Sequence, residues 1–275
     1  MKIWAHRGCS QRYPENTLLA FEKAVQIPAL TGIELDIQLT KDGHMVVIHD
    51  ERVDRTTEGI GFVRDYTLAE LRRLHIYAGT HPAQQIPTIE EVLDLLAPGM
   101  RAACPGQSQN DTATEMRTDA QKTDAQKTGA ADPTPLLLNI ELKNSIYPYP
   151  GMEEQIVRLV QERGLEQAVV YSTFYARSLQ RLHALAPEAQ LGMLDNKVSD
   201  CLIKARGLGF ACALHPFARS MDLPAEELQA EARAVRVWFS GHLYPEPPTG
   251  GRLDLQALAA QGITDLILNE PEAYL

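Results

Sequence analysis

Short β-rich runs alternate with amphipathic helical stretches along almost the whole chain, and few architectures accept that rhythm. The pattern predicts strands over residues 2–5, 32–39, 45–49, 136–142, 168–172, 190–194, 210–214, 235–239 and 264–268. Helices are predicted between them, over 15–26, 88–96, 152–162, 175–186, 198–206, 225–234 and 253–260. Thr88-Ile-Glu-Glu91 sets a Glu three residues after a Thr, the reciprocal pairing that caps a helix start. Strands separated by helices pair in parallel through right-handed crossovers. With 45–49 counted as an extension of the second strand, eight strand–helix units remain, and eight units fit a (β/α)₈ TIM barrel. An open doubly wound sheet is the competitor, but no G-x-G-x-x-G follows the first strand.

The 275 residues thus read as one barrel domain, 1–275, interrupted twice. Residues 51–86, after the second strand, hold Thr57-Glu-Gly-Ile-Gly61 and then Tyr66-Thr-Leu-Ala-Glu-Leu71, a turn and a short helix. An insertion between strand and helix belongs on the C-terminal face of a barrel, where active sites are built. Residues 101–135 contain no Leu, Ile, Val or aromatic residue and repeat Thr-Asp-Ala-Gln-Lys at 118–122 and 123–127. Such a stretch cannot bury enough apolar surface to offset its ordering entropy, so it is expected to be a disordered insertion on the opposite face.

A net charge of −10 argues against nucleic acid as a partner, because binding it requires a basic stripe. No apolar run approaches the eighteen or so residues of a membrane span, so stable membrane insertion is not expected. The N-terminus leaves no room for an apolar signal core before charge appears, which sets a cytoplasmic expectation. Cys9, Cys104, Cys201 and Cys212 show no C-x-x-C spacing and are expected to be free thiols. A homodimer is compatible with the sequence, which does not decide the oligomeric state.

Glu34 and Asp36 are two residues apart in Gly32-Ile-Glu-Leu-Asp-Ile-Gln-Leu39, so a strand points both carboxylates to one face. Held roughly 4 Å apart, they would repel by about 4 kcal/mol at an effective dielectric near 20. A divalent cation neutralises such a pair best, and oxygen-only ligation suggests Mg²⁺ or Ca²⁺. A solvated polar face is the bland alternative, but a parallel barrel strand has no solvated face. Glu141 repeats the logic: Asn139, Glu141 and Lys143 share one face of the next strand, and Lys143 is placed to meet an anion. His6-Arg7-Gly8 follows the first strand, with Arg7 offering a fork for two phosphate oxygens and His6 titrating near neutral pH. His49 ends the apolar run Met45-Val-Val-Ile48 and puts a second imidazole on the same rim. Among the remaining histidines, His44 is expected in an exposed turn, His75 and His81 in the insertion, His183 on a helix and His242 in a polar loop. His215, after the sixth strand of the count, is the one with a route to substrate, and a weak one.

At this point the sequence resembles the glycerophosphodiester phosphodiesterase family. The matching elements are His6-Arg7-Gly8, Pro14-Glu-Asn-Thr17 with Ala20-Phe21, Gly32-Ile-Glu-Leu-Asp36 and Thr40-Lys-Asp-Gly43. They continue with Val47-Ile-His-Asp50, Arg55-Thr-Thr57 with Gly59 and Gly61, Asn139-Ile-Glu-Leu-Lys143, Tyr171-Ser-Thr-Phe174, Trp238 and Asn269-Glu-Pro271. The resemblance implies a TIM barrel that hydrolyses glycerophosphodiesters to sn-glycerol 3-phosphate and an alcohol with a divalent metal. Position by position, it implies Glu34, Asp36 and Glu141 as metal ligands and His6 and His49 as the acid–base pair. Arg7 and Lys143 become the phosphate clamp, Trp238 a substrate contact, and 51–86 a subdomain that caps the site. Trp238-Phe-Ser-Gly241 and Thr264-Asp-Leu-Ile-Leu-Asn269 depart from the family's usual patterns, which bears on the leaving group rather than on the reaction. A related phosphodiesterase acting on lysophospholipids or phosphoinositides is the nearest alternative. A barrel that binds phosphate ligands without catalysis is the other, though it should lack one of these groups and none is missing.

Overall fold

The computed structural model describes residues 1–101, 136–239 and 252–275. The tandem repeat, most of the insertion predicted to be disordered, Cys104 and His242 therefore lie outside the described residues. Strands β1 (Lys2–His6), β2 (Gly32–Leu39), β4 (Leu137–Leu142), β5 (Val169–Thr173), β6 (Gln190–Asp195), β7 (Ala213–Pro216), β8 (Arg236–Trp238) and β9 (Asp265–Leu268) run parallel in the order β7-β6-β5-β4-β2-β1-β9-β8. Parallel bridges Leu214–Val235 and Phe217–Trp238 bring the two end strands together. Eight parallel strands thus form a nearly closed (β/α)₈ barrel, as the sequence rhythm requires.

Helices α1 (Leu18–Val25), α3 (Ile89–Arg101), α4 (Met152–Glu162), α5 (Ala176–Leu185), α6 (Val198–Leu208), α7 (Ala225–Ala230) and α8 (Leu255–Ala260) return the chain between strands. Alternation along each strand decides which side chains meet these helices. Ile3, Ala5, Ile33, Leu35, Ile37, Leu138 and Ile140 join Phe21, Leu93 and Ile156 in one buried apolar cluster. Burying each large side chain there stabilises the fold by about 1.5–3 kcal/mol. The intervening residues face the barrel interior, where Trp4, Val170 and Ile267 form a separate apolar floor. Helix starts follow their sequence signals: Thr17 Oγ1 accepts from the Ala20 amide, and Thr88 and Glu91 make the reciprocal cap.

One predicted strand behaves differently from its reading. The run counted as an extension of the second strand, 45–49, turns back as β3 (Met45–Val47) and pairs antiparallel with β2. The Thr40-Lys-Asp-Gly43 turn causes this: Thr40 Oγ1 accepts from the His44 amide, and Gly43 takes φ +83°. His49 consequently reaches the rim by a hairpin returning along β2, and not as the end of a parallel strand. Residues 51–86 then build around helix α2 (Leu68–Leu71), with Val53, Val63, Leu71, Ile76 and Ile86 packed on Val46 and Ile48. Phe62 from this segment meets Tyr147 edge-on at 5.9 Å, tying it to the loop after β4.

His215 does not open onto the C-terminal face. It lies within β7, wholly buried, against Gly192, where an added Cβ would come within 2.4 Å of its ring. Arg236 Nη1 donates to His215 Nε2 at 3.3 Å and its Nε reaches Asp265 at 3.4 Å, while Trp4 Nε1 donates to the same carboxylate at 2.8 Å. These groups form a polar belt deep inside the barrel. No helix among the described residues is long and apolar enough to cross a membrane.

Candidate active site

A cavity of about 510 Å³ opens on the C-terminal face of the barrel. One wall holds His6, Arg7, Glu34, His49, Glu141 and Lys143, and the other Ile146, Phe174, Leu194, Trp238 and Ile267. Asp36 is buried behind this lining, yet its carboxylate and those of Glu34 and Glu141 have ligand atoms all within 4.8 Å of one another. Register explains the cluster, because Asp36 lies opposite Glu141 across the β2–β4 pair and Glu34 lies opposite Asn139. Each of the eight site residues predicted from sequence thus converges on this one region, Trp238 by its place in the apolar wall.

Arg7 departs from β1 with φ +54°, a left-handed conformation that costs a non-glycine residue roughly 1–2 kcal/mol. The turn aims its amide at Glu34 Oε2, 3.0 Å away, and its guanidinium at Glu15 and Asp36. Gly8 follows at φ +79°, and a Cβ there would meet the Ala20 backbone of α1 at 2.8 Å. A glycine is what lets this turn sit directly on the helix.

Burial first, and then Asp36 and Glu141, push the Glu34 carboxyl well above its usual range. Burial likewise raises Glu141 to about 7, against the opposing pull of Lys143. Burial also works against the Asp36 carboxylate, but His49, Arg7 and Lys143 outweigh it and hold that pKa low. Lys143 Nζ donates to Glu141 Oε1 at 2.8 Å and is kept charged by Glu141 and Asp36 despite its burial. Asp36 Oδ1 has no hydrogen-bond partner, and an orphaned buried oxygen costs about 1–3 kcal/mol. The connected cluster sets five carboxyl groups, Glu15, Glu34, Asp36, Asp50 and Glu141, against three fixed cations, Arg7, Arg55 and Lys143, an excess of acidic groups. A hard oxygen donor set, an unused carboxylate oxygen and that excess together fit one divalent cation.

Both candidate histidines are oriented through Nδ1. His6 Nδ1 donates to Asn269 Oδ1 at 2.6 Å, leaving Nε2 directed toward Glu34 at 3.8 Å. Burial, with Arg7 adding to it, lowers the His6 pKa to about 3, so the ring is neutral at pH 7. His49 Nδ1 meets Asp50 Oδ1 at 2.6 Å, and Lys143 Nζ donates to His49 Nε2 at 3.1 Å.

Sequence reasoning missed the residues that hold these groups in place. Glu15 receives Arg7 Nη1 at 3.1 Å and two nitrogens of Arg55 at 2.6 Å each. Arg55 in turn grips Asp50 through Nε at 2.6 Å, which links Arg7 to His49 through Glu15, Arg55 and Asp50. Asn16 Nδ2 donates to Asp36 Oδ2 at 2.9 Å. Pro14-Glu-Asn-Thr17 and Arg55-Thr-Thr57 were visible as motifs, but only the fold shows that they meet.

Comparison with known proteins agrees with this geometry. Residues 6–208 match the model of the glycerophosphoryl diester phosphodiesterase family. A glycerophosphodiester phosphodiesterase of Caldanaerobacter subterraneus subsp. tengcongensis is 33% identical over 281 residues, covering 99% of this chain and 96% of that protein. One from Bacillus altitudinis is 40% identical over 200 residues, covering 72% of this chain and 67% of its own length. Among solved structures, an Oleispira antarctica phosphodiesterase in complex with the product sn-glycerol-3-phosphate superposes with a TM-score of 0.67 at 23% identity, covering 99% of this chain and 94% of that one. The carboxylate cluster, the two oriented histidines and these likenesses converge, and the chain belongs to the glycerophosphoryl diester phosphodiesterase family.

Proposed function

We propose that the protein hydrolyses glycerophosphodiesters to sn-glycerol 3-phosphate and an alcohol, with a divalent metal, Mg²⁺ or Ca²⁺, held by Glu34, Asp36 and Glu141. One observation carries this reading: three buried carboxylates, Glu34 and Glu141 in the cavity lining and Asp36 behind it, cluster beside two cations and two histidines. The bound ion would supply electrostatic stabilisation of the charge that builds on phosphate. Arg7 and Lys143 hold the remaining phosphate oxygens, and Trp238 contacts the substrate from the apolar wall. His6 and His49 serve as the acid–base pair. One takes a proton from the nucleophile, water or the glycerol 2-hydroxyl, as the new P–O bond forms. The other delivers a proton to the alkoxide that leaves when the old P–O bond breaks. Residues 51–86 cap the site and supply Arg55 to its frame. The substrate is a small molecule, and neither nucleic acid nor membrane insertion is required.

Glycerophosphocholine incubated with the metal-loaded protein tests the reading, with products followed by phosphorus NMR. Appearance of sn-glycerol 3-phosphate supports it, and silence across several glycerol diesters would leave only a phosphate-binding barrel. A second reading draws on Ile146, 62% exposed at the mouth, beside Phe174 and Trp238. An apolar rim of this kind suits an acyl chain, and turnover of lysophospholipids faster than of glycerophosphocholine would favour it.

A further inference from the structure

Two oxygens deep in the cavity are used by neither the fold nor the chemistry described above. Asn139 and Ser172 both line the cavity, at 2% and 0% exposure, and Asn139 Oδ1 and Ser172 Oγ have no hydrogen-bond partner. They stand on neighbouring strands next to the carboxylates, Asn139 opposite Glu34 and Ser172 opposite Glu141. The apolar floor adjoins them, since Val170, two residues before Ser172 on its strand and opposite Asn139, belongs with Trp4 and Ile267. Native interiors rarely leave such atoms unpaired, and the apolar floor offers them no partner. Something that enters the cavity must satisfy them.

We propose that Asn139 Oδ1 and Ser172 Oγ form a subsite for a free hydroxyl on the neutral, polyol end of the substrate. The inference rests on reading the site as a glycerophosphodiester hydrolase. The chemistry of the two atoms selects the ligand. An amide carbonyl oxygen can only accept, whereas a serine hydroxyl both accepts and donates. A ligand hydroxyl meets both, donating to Asn139 and accepting from Ser172. A diester phosphate oxygen has no proton to give Asn139 Oδ1. The polyol end therefore points inward over the floor, and the leaving alcohol points outward toward exposed Ile146. That orientation decides which ester bond is presented to the histidines.

The test uses the metal-loaded full-length enzyme, with Ser172→Ala and Asn139→Leu beside wild type. Glycerophosphocholine is compared with bis(p-nitrophenyl) phosphate, a diester without a hydroxyl. Each variant should lower the ratio of the two kcat/KM values by about tenfold, on the order of one lost hydrogen bond. Without ligand the variants should melt no lower than wild type, because neither deleted oxygen has a partner to lose. In wild type alone, sn-glycerol 3-phosphate should raise Tm more than ethyl phosphate does, a comparison that needs no variant. An unchanged ratio, an equal loss on both diesters, or equal shifts by the two monoesters would overturn the subsite. Wild-type silence on glycerophosphocholine would overturn the reaction and the subsite with it, and it shows before any variant is compared.

Discussion

Arg55 is where the inserted segment grips the site, and its removal has a calculable effect. Its guanidinium makes four hydrogen bonds, two to Glu15 at 2.6 Å and two to Asp50 at 2.6 and 3.2 Å. Arg55→Met keeps the apolar stem and deletes all four. Glu15, only 2% exposed in its side chain, would then keep Arg7 but lose its second cation. Breaking a buried pair by removing one partner costs about 3–5 kcal/mol. The Arg55 and Asp50 side chains are 17% and 26% exposed, so water recovers part of that, leaving about 2–4 kcal/mol. In urea unfolding the midpoint should fall by about 1 M at unchanged slope, given typical slopes of a few kcal/mol per molar for a chain this size. Because Asp50 anchors His49, kcat should also fall by about 10- to 100-fold, the usual effect of deleting a partner behind a functional group. Arg55→Lys should recover part of the stability, since an ammonium cannot grip two carboxylates with the same geometry. A loss below about 0.5 kcal/mol would show that the network behaves like an exposed ion pair and would refute this reasoning.

Three further outcomes follow from the geometry. His6→Ala and His49→Ala should each lower kcat by about 10²–10⁴ in steady-state assays, and full activity in either variant would remove that residue from the acid–base pair. Metal binding should release at least about one proton per ion at pH 6, because Glu141, raised to about 7, holds a proton there and must lose it to ligate, and the raised Glu34 carboxyl adds to the release. Affinity therefore weakens as pH falls below 7, and titration calorimetry in buffers of different ionisation enthalpy reads the release directly; none at pH 6 would contradict the raised carboxyl. Gly8→Ala should cost about 2–4 kcal/mol in urea unfolding, combining a left-handed backbone with a 2.8 Å approach to α1. An unchanged midpoint would mean that α1 moves aside freely.

What the sequence revealed, and what it hid, follows from how far each signal reaches along the chain. The barrel was legible because strand and helix periodicities are local, and eight repeats leave few topologies. The Glu34–Asp36 and Glu141–Lys143 pairs were legible because alternation along one strand fixes which side chains share a face. His49 was assigned to the right rim by the wrong route, since periodicity cannot tell a continuing strand from one that returns antiparallel. Glu15, Arg55 and Asn269 were seen as pieces of motifs without roles, because their partners lie 40 residues away for Glu15 and Arg55 and 263 for Asn269 and His6. Asn139 was placed on the right strand face, yet only burial and partner geometry expose its unused oxygen.

Removing and restoring the metal tests the central proposal most directly, because that proposal assigns the three buried carboxylates to one ion. Protein stripped with EDTA should lose at least about 10³-fold in turnover of glycerophosphocholine, a loss of several kcal/mol of transition-state stabilisation. Mg²⁺ or Ca²⁺ should restore the rate with one ion bound per chain in wild type, and Asp36→Asn should bind that ion far more weakly. Undiminished turnover in EDTA, or equally tight ion binding by Asp36→Asn, would contradict the account.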